Sequence, residues 1–261
     1  MTDRAHPGVA ADLLDFAVKI AVEAGRTTLA HFRSGSLQID TKADGTAVTV
    51  ADRGAETVIR ARLAERFPDD GVLGEEQGEH AGQSGRRWII DPIDGTTPFT
   101  KGVPLYSNLL ALEDEAGEIL VGVINLPALG ITVAAGRGAG CFINGKAAHA
   151  SAHRPTLQGA YVMTSGVETW NADQLARLQA SGARLRTWGD AYGYAQVATG
   201  YVEAMVDPIA AVWDLAPMPV ILAEAGGNFT DRSGVVTHCG GHGVASCGGT
   251  LHDQLLAVLA G

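Results

Sequence analysis

The spacing of apolar residues predicts two helices at the start of the chain. In the first of them, the apolar residues that recur at helical intervals are Leu13, Phe16, Ala17, Ile20 and Ala24. This stripe predicts a helix over residues 9–32, and a second helix is predicted over residues 51–67, after the polar stretch 40–49. The turn sequence PDDG at residues 68–71 marks the end of the helical part.

Short apolar runs at close spacing follow this turn and predict strands, several of them in an antiparallel meander. The runs cover residues 72–73, 88–90, 107–112, 119–126 and 131–135. Residues 136–145 are rich in glycine, which is typical of turns on either side of a short strand. The first half of the chain is therefore expected to be rich in antiparallel strands.

Strands and helices alternate from about residue 160 onward. The predicted strands cover residues 161–163, 184–188, 203–206, 228–230 and 244–246. The predicted helices cover residues 172–180, 191–201 and 214–225 and a final segment from Leu251. The whole pattern predicts a mixed α/β fold, a single unit over residues 1–261. Its antiparallel-rich half ends near residue 155, and its α/β half begins near residue 156.

Composition narrows the possible functions. Apolar residues make up 46% of the chain and charged residues 18%, which is typical of a soluble globular protein. The net charge of −10 disfavours a nucleic-acid partner, and an acidic site can bind phosphate only with a cation in between. The three cysteines lack metal-type spacing, and no long apolar segment indicates a signal peptide or membrane span. We therefore expect a cytoplasmic protein that acts on a small molecule.

Acidic residues gather around the end of one predicted strand. In the run WIIDPIDGTT at residues 88–97, the apolar strand ends at Asp91, and Asp94 follows a turn at Pro92. Carboxylates at this spacing can face one point, and hard divalent cations prefer oxygen ligands. The Gly-Thr-Thr sequence that follows is expected to open a short helix whose free N–H groups could bind phosphate. A lone D-x-x-D turn is more often a simple cap, but the complete succession predicts metal-assisted phosphoryl transfer.

This run resembles the first signature of the inositol monophosphatase superfamily, which the chain matches from Trp88 through Phe99. Three other segments resemble further motifs of the superfamily. They are TKADGTAVTVAD at residues 41–52, WDLA at residues 213–216 and EAGGNFTD at residues 224–231. The resemblance spans nearly the whole chain. It implies a layered α/β/α/β/α sandwich, a Mg²⁺-dependent phosphatase and a homodimer.

The resemblance implies a magnesium site with two or three ions. The implied ligands are Glu75, Asp91, Ile93 through its carbonyl group, Asp94 and Asp214. Asp91 would bridge the two principal ions, and a third, weaker ion would bind Glu75 and water. Such ions shield the phosphate from the acidic side chains, lower the pKa of bound water and stabilise the leaving alkoxide.

The resemblance also implies catalytic and phosphate-binding residues. Asp52 and Thr96 would orient the attacking water, and Glu75 would serve in catalysis as well as in metal binding. Gly95 and Thr96 would offer backbone N–H groups to the phosphate, with the Lys42 ammonium nearby. No covalent intermediate is implied.

Three prolines depart from the family pattern. Pro98 stands where asparagine is usual, and proline is tolerated early in a helix. Pro217 and Pro219 follow Asp214 where a regular helix is usual, and proline inside a helix breaks the hydrogen-bond ladder. We therefore expect the helix over residues 214–225 to begin irregularly, with Asp214 kept as a ligand.

The substrate prediction depends on residues 188–194. Their sequence, WGDAYGY, resembles the Gly-Asp-x-x-x-Tyr variant of histidinol-phosphate phosphatases in this superfamily. Asp190 and Asp207 are expected to contact the non-phosphate part of the substrate, where two carboxylates suit an amine and an imidazole. The expected reaction is hydrolysis of L-histidinol phosphate in histidine biosynthesis. The alternatives are an inositol, sugar or aminocyclitol monophosphatase, and a role for Asp190 as a helix cap only.

A non-catalytic binding module with the same fold is an alternative of a different class. Such a module is expected to have lost at least one acidic ligand. The acids Asp52, Glu75, Asp91, Asp94 and Asp214 are all present, so the chain is predicted to be an enzyme.

Overall fold

The computed structural model describes residues 9–34, 39–41, 47–152 and 154–260. Within these ranges the helices are α1 Ala11–His31, α2 Val50–Arg66, α3 Thr96–Thr100, α4 Ala172–Ala180, α5 Ala191–Ala198, α6 Val212–Leu215, α7 Met218–Glu224 and α8 Thr250–Ala260. None of these described helices combines the length and the apolar character needed to cross a membrane.

The strands of the described residues fall into an early and a late group. The early strands are β1 Ile39–Thr41, β2 Ala47–Thr49, β3 Gly71–Gly74, β4 Gly78–His80, β5 Arg87–Asp94, β6 Ser107–Glu113, β7 Ile119–Leu126, β8 Ile131–Gly136, β9 Gly140–Ile143 and β10 Lys146–Ala147. The late strands are β11 Tyr161–Met163, β12 Arg184–Arg186, β13 Ala204–Asp207, β14 Asn228–Thr230 and β15 Gly243–Ser246. This arrangement confirms the predicted mixed α/β fold.

The two long N-terminal helices form where the apolar stripe predicts them. α1 buries Ala17, Ile20 and Ala24, and α2 packs beside it on the same layer of core. α2 begins with a reciprocal cap in which the backbone N–H of Thr49 donates to Oδ2 of Asp52 at 2.7 Å. This cap fixes the Asp52 side chain in the first turn of α2.

The early strands from β3 to β10 form a large sheet in the order β10-β9-β8-β7-β6-β5-β3-β4. Helices α1 and α2 pack on one face, and α5 and α7 pack on the other. The central strands are therefore buried on both faces, which explains their continuous apolar runs. β3 and β5 run parallel, and their pairing ends with Gly74 beside Ile90, so the next residue of each segment, Glu75 and Asp91, lies at the same end of this pairing.

The late strands form a second sheet in the order β12-β11-β13-β15-β14. β11 pairs in parallel with both β12 and β13. The carboxyl ends of parallel strands meet at one edge of a sheet, so the segments after β11, β12 and β13 lie close together. Ser165, Asp190 and Asp207 are on or directly after these strand ends.

Buried apolar residues from both sheets share a core. The largest cluster contains Ile89, Leu109 and Ile124 from the large sheet and Met205 and Ala245 from the second sheet. This continuity favours the predicted single unit over residues 1–261, although the domain assignment itself stays a prediction.

The structure differs from the predicted elements in two respects. The helix predicted over residues 214–225 is divided into α6 and α7, with the interruption at Pro217. Pro217 has no N–H group to continue the ladder, and Asp214 lies before the interruption, in the first turn of α6. Strands β1, β2, β4 and β10 were not predicted, because they are only two or three residues long and carry no apolar run.

A buried histidine joins α8 to the second sheet. Nε2 of His252 lies 2.9 Å from Oγ1 of Thr230, and Nδ1 lies 2.9 Å from Oγ of Ser246. Thr230 already donates its hydroxyl proton to the carbonyl of Asp231, so it accepts from Nε2–H. In the neutral ring, Nδ1 is then free to accept from the Ser246 hydroxyl. Burial lowers the pKa of His252 below its usual range.

Because of His252, we expect the folded protein to lose stability in mild acid. The pKa of His252 is lower in the folded than in the unfolded state. The stability that His252 contributes is therefore complete above its unfolded pKa and is lost as pH falls toward its folded pKa. Between about pH 7.5 and pH 5.5, wild-type protein should lose about 1 kcal/mol more unfolding free energy than His252→Gln, which cannot be protonated. Urea unfolding at both pH values measures this difference. Equal losses in the two proteins would contradict the prediction.

Candidate active site

An acid-lined cleft of about 500 Å³ lies between the end of β5 on the large sheet and the starts of α5 and α6. Its lining residues are Glu75, Asp91, Ile93, Asp94, Gly95, Thr96, Thr97, Pro98, Asp190 and Asp214. Most of the residues predicted as ligands or catalytic groups therefore meet here. Asp52 and Asp207 are buried behind the cleft, and Lys42 lies outside the described residues.

Three carboxylates form the centre of the cleft. Asp91, Asp94 and Asp214 each place an oxygen atom within 4.8 Å of the oxygens of the other two. Asp91 and Asp94 reach one point because the pairing of β5 with β6 shifts register between them. This irregularity turns both side chains toward the same side despite their separation of three residues.

Two of these carboxylates are oriented by hydrogen bonds from the protein. Oδ2 of Asp94 accepts from Oγ of Ser107 at 2.8 Å and from the backbone N–H of Ala191 at 2.7 Å. Oδ2 of Asp214 accepts from the backbone N–H of Ala211 at 2.7 Å. Asp94 therefore ties the large sheet to the start of α5.

Asp91 differs because its Oδ1 atom is buried and accepts no hydrogen bond from any described residue. A buried carboxylate oxygen without a donor is costly and indicates a place for a cation. Oxygen-only donors in a cluster of this size fit a hard divalent cation. The residues present therefore match the metal site that the motifs predict.

Electrostatics lead to the same conclusion. Burial raises the pKa of Asp91 and of Asp94 well above the usual range, and nearby carboxylates raise both further. Burial also raises the pKa of Asp214 to about 6. A bound cation offsets this penalty, since it pairs with the charged form that the protein alone disfavours.

Two buried amide side chains support the register shift of β5 between Asp91 and Asp94. The side-chain amide of Asn108 donates to the carbonyl of Pro92 at 2.6 Å. Asn125 donates to Oδ1 of Asn108 at 2.9 Å and accepts from the hydroxyl of Thr132. These residues were missed in the sequence, although polar side chains inside apolar strands are a signal that could have found them.

The two residues predicted to orient water differ in burial. Asp52 is fully buried, with Oδ2 bonded to the Thr49 hydroxyl at 2.6 Å and Oδ1 without a donor among the described residues. Thr96 lines the cleft and donates its hydroxyl to the carbonyl of Ile93 at 3.1 Å. Burial raises the pKa of Asp52 above its usual range.

Gly95 lies directly before α3, at a position where a side chain would be strained. Its φ of +80° lies in the left-handed region, and a Cβ atom there would lie 2.9 Å from Oδ2 of Asp190. Glycine therefore lets the Asp190 carboxylate approach the backbone of the predicted phosphate site. α3 contains Pro98 without interruption, as expected for a proline early in a helix.

Asp190 and Asp207 occupy different positions. Asp190 lines the cleft, and its side chain forms no cap with α5, although it precedes that helix. Asp207 is buried and accepts from the Ser165 hydroxyl at 2.6 Å. Oγ of Ser165 in turn accepts the backbone N–H of Asp190 at 2.9 Å. Asp207 therefore supports the segment of Asp190 rather than lining the cleft itself, and Ser165 was not predicted from the sequence.

Comparison with known proteins identifies the relationship. Residues 10–260 match the model of the inositol monophosphatase family. The chain belongs to the inositol monophosphatase family. It is 42% identical to the histidinol-phosphatase of Chlorobaculum parvum, over 94% of this chain and 96% of that protein. It is 39% identical to the histidinol-phosphatase of Mycobacterium tuberculosis, over 95% of this chain and 98% of that protein.

A solved structure supports the same conclusion about the fold. The extragenic suppressor protein SuhB of Bartonella henselae superposes with a TM-score of 0.88 at 30% identity, covering 96% of this chain and 99% of that one. The predicted family and its fold are thus confirmed. This inositol monophosphatase family member is a phosphoric monoester hydrolase, while the roles of its individual residues stay predictions.

Proposed function

We propose that the enzyme hydrolyses L-histidinol phosphate to L-histidinol and phosphate, in histidine biosynthesis. The observation that carries this proposal is the Asp190 carboxylate, which lies over Gly95 inside the acid-lined cleft. A cationic amine or imidazolium gains attraction from a carboxylate at this position, whereas an uncharged polyol does not. The histidinol-phosphatases at 42% and 39% identity support the same substrate.

Side chains and backbone N–H groups of the protein are expected to orient the attacking water and the phosphate. Bound Mg²⁺ would lower the pKa of a water molecule and offset the charge of the phosphate. One oxygen of Asp52 is held by Thr49, and the other is buried without a donor among the described residues. Asp52 and Thr96 are expected to orient the attacking water. The backbone N–H groups of Gly95 and Thr96 would hold the phosphate, and Lys42 would approach it.

The remaining features of the proposal come from the motif resemblance. We expect two or three Mg²⁺ ions per site, with Glu75, Asp91, Asp94, Asp214 and the Ile93 carbonyl as ligands. The enzyme is proposed to act in the cytoplasm as a homodimer. The carboxylates that line the cleft support the requirement for a cation, because they would otherwise repel an anionic phosphate.

Parallel assays of phosphate release test the substrate. With Mg²⁺, kcat/KM for histidinol phosphate should exceed that for inositol 1-phosphate by at least about a hundredfold, or about 2.7 kcal/mol. A chelator should abolish both activities. Equal rates, or a preference for inositol phosphate, would contradict the substrate and favour the inositol monophosphatase alternative.

A variant then isolates the contribution of Asp190. Asp190→Asn should lower kcat/KM for histidinol phosphate about thirtyfold and change that for inositol 1-phosphate by less than about threefold. Asp15→Asn removes the same charge from an exposed position on α1 and should leave both values unchanged. A uniform loss on both substrates would show that Asp190 does not recognise the cationic group.

A further inference from the structure

A buried glutamate on α2 binds the turn that carries Glu75. Oε2 of Glu56 accepts the backbone N–H of Glu76 at 2.8 Å, and Oε1 accepts the backbone N–H of Gln77 at 3.2 Å. The Glu56 side chain is fully buried. A charge-assisted bond from a carboxylate to backbone N–H groups is among the stronger hydrogen bonds in proteins, and here it fixes two successive residues of one turn.

Arg60 completes the contact from the next turn of the same helix. Its Nε donates to Oε1 of Glu56 at 2.7 Å, and its terminal nitrogen donates to the carbonyl of Gly78. The pair therefore reaches the backbone of residues 76 and 77, in the turn between β3 and β4, and of residue 78, the first of β4. Because the two charges cancel, the pair adds no net charge to the neighbouring acidic cleft.

Space around Gly74 shows how closely α2 approaches this turn. A Cβ atom at Gly74 would overlap Oε1 of the Glu56 carboxylate. The other side of the turn is attached to the sheet, since the backbone N–H of Glu75 donates to the carbonyl of Ile90 at 3.2 Å. Glu75 is thus held between β5 on one side and Glu56 on the other.

The ion pair differs from the other pairs on the same helix. Side-chain exposure is 17% for Arg60 and 0% for Glu56, compared with 43% for Arg62 and 33% for its partner Glu23. Exposed pairs of this kind contribute little to stability. The Glu56 carboxylate is fully buried and accepts from three donors, so a role in surface stability does not explain it. Two of these donors are backbone N–H groups of the turn that directly follows Glu75.

We propose that Glu56 and Arg60 are positioning residues that hold Glu75 in the lining of the cleft, where it is a proposed ligand of the cation. This inference rests on the proposed magnesium site. Without the pair, the turn would have to be ordered when the cation binds, so affinity would fall. Once the ion is bound, the geometry is restored and the chemical step is little affected.

Mg²⁺ binding to the protein without substrate tests this proposal. Glu56→Gln keeps the size of the side chain but leaves one acceptor oxygen for three donors. Titration calorimetry should show Mg²⁺ binding weakened by about tenfold or more, as is usual when a residue behind a metal ligand is changed. The apparent KM for Mg²⁺ should rise equally, while kcat at saturating Mg²⁺ stays within about threefold of wild type.

Arg62→Gln is the matched control, since it breaks an ion pair on the same helix that does not touch the turn. It should leave Mg²⁺ affinity unchanged. If Glu56→Gln does not fold, Arg60→Met removes the contact to Gly78 and should also weaken Mg²⁺ binding. Wild-type affinity in a folded Glu56→Gln or Arg60→Met protein would overturn the inference alone. A wild-type protein that binds no Mg²⁺ would overturn the proposed function, and this inference with it.

Discussion

Replacing Asp94 with asparagine should lower kcat/KM for phosphate release by at least about a thousandfold, equivalent to about 4 kcal/mol of transition-state stabilisation. Asp94 supplies one of the three clustered carboxylates, and the change removes a charge that the cation needs. The protein should stay folded. An asparagine oxygen can still accept from Ser107 and from the backbone of Ala191, while its amide group faces the cleft.

The control for this variant is Asp231→Asn. Asp231 is also a buried carboxylate, and its Oδ1 accepts from the backbone N–H groups of Ser233 and Val235. It lies outside the cleft, so its replacement should reduce stability and leave kcat close to wild type. Retention of more than about a tenth of wild-type activity by folded Asp94→Asn would reject Asp94 as an essential ligand.

Magnesium should stabilise the wild type and have little effect on the stability of Asp91→Asn. At a concentration about a hundred times its dissociation constant, Mg²⁺ stabilises the wild type by about 2.7 kcal/mol. For a chain of this length, that corresponds to a rise in Tm of about 5 to 10 °C. In chelator, Asp91→Asn should melt several degrees above the wild type, because it relieves a buried carboxylate that Glu75 and Asp214 disfavour.

Thermal melting in chelator and in Mg²⁺ measures both effects. Asp91→Asn should show little further shift with Mg²⁺ and should have no phosphatase activity. An exposed variant such as Asp15→Asn should follow the wild type in both conditions. A metal-free Asp91→Asn protein that melts below metal-free wild type would show that the acidic centre is not under electrostatic strain.

Periodicity predicted the long elements well. α1, α2, α4 and the strands β5 to β8 form within a few residues of the predicted ranges, because each buries an apolar stripe or an apolar run. β1, β2, β4 and β10 were missed because backbone pairing with a neighbour forms them, and their short polar sequences carry no period. Backbone pairing of this kind leaves no local pattern of apolar residues in the sequence.

The same limit applies to the site. Motif resemblance pointed to the carboxylates that meet in the cleft, because their types and spacing are local features of the sequence. Glu56 was missed because an arginine four residues after a glutamate usually indicates a solvent-exposed pair. The burial of Asp207 and its contact with Ser165 depend on the parallel pairing of β11 with β13, which joins segments some forty residues apart.

The carboxylate cluster combines parts of the chain that are synthesised at different times. Asp94 lies on β5, whereas Ala191, which donates to it, and Asp214 lie on α5 and α6. Asp214 follows Asp94 by 120 residues (214 minus 94), so a growing chain contains Asp91 and Asp94 long before the cluster is complete. Until then the cluster lacks both the third carboxylate and the N–H group that orients Asp94. The three-carboxylate cluster can therefore form only after residue 214 has been synthesised, and a chain that ends before Asp214 should lack phosphatase activity.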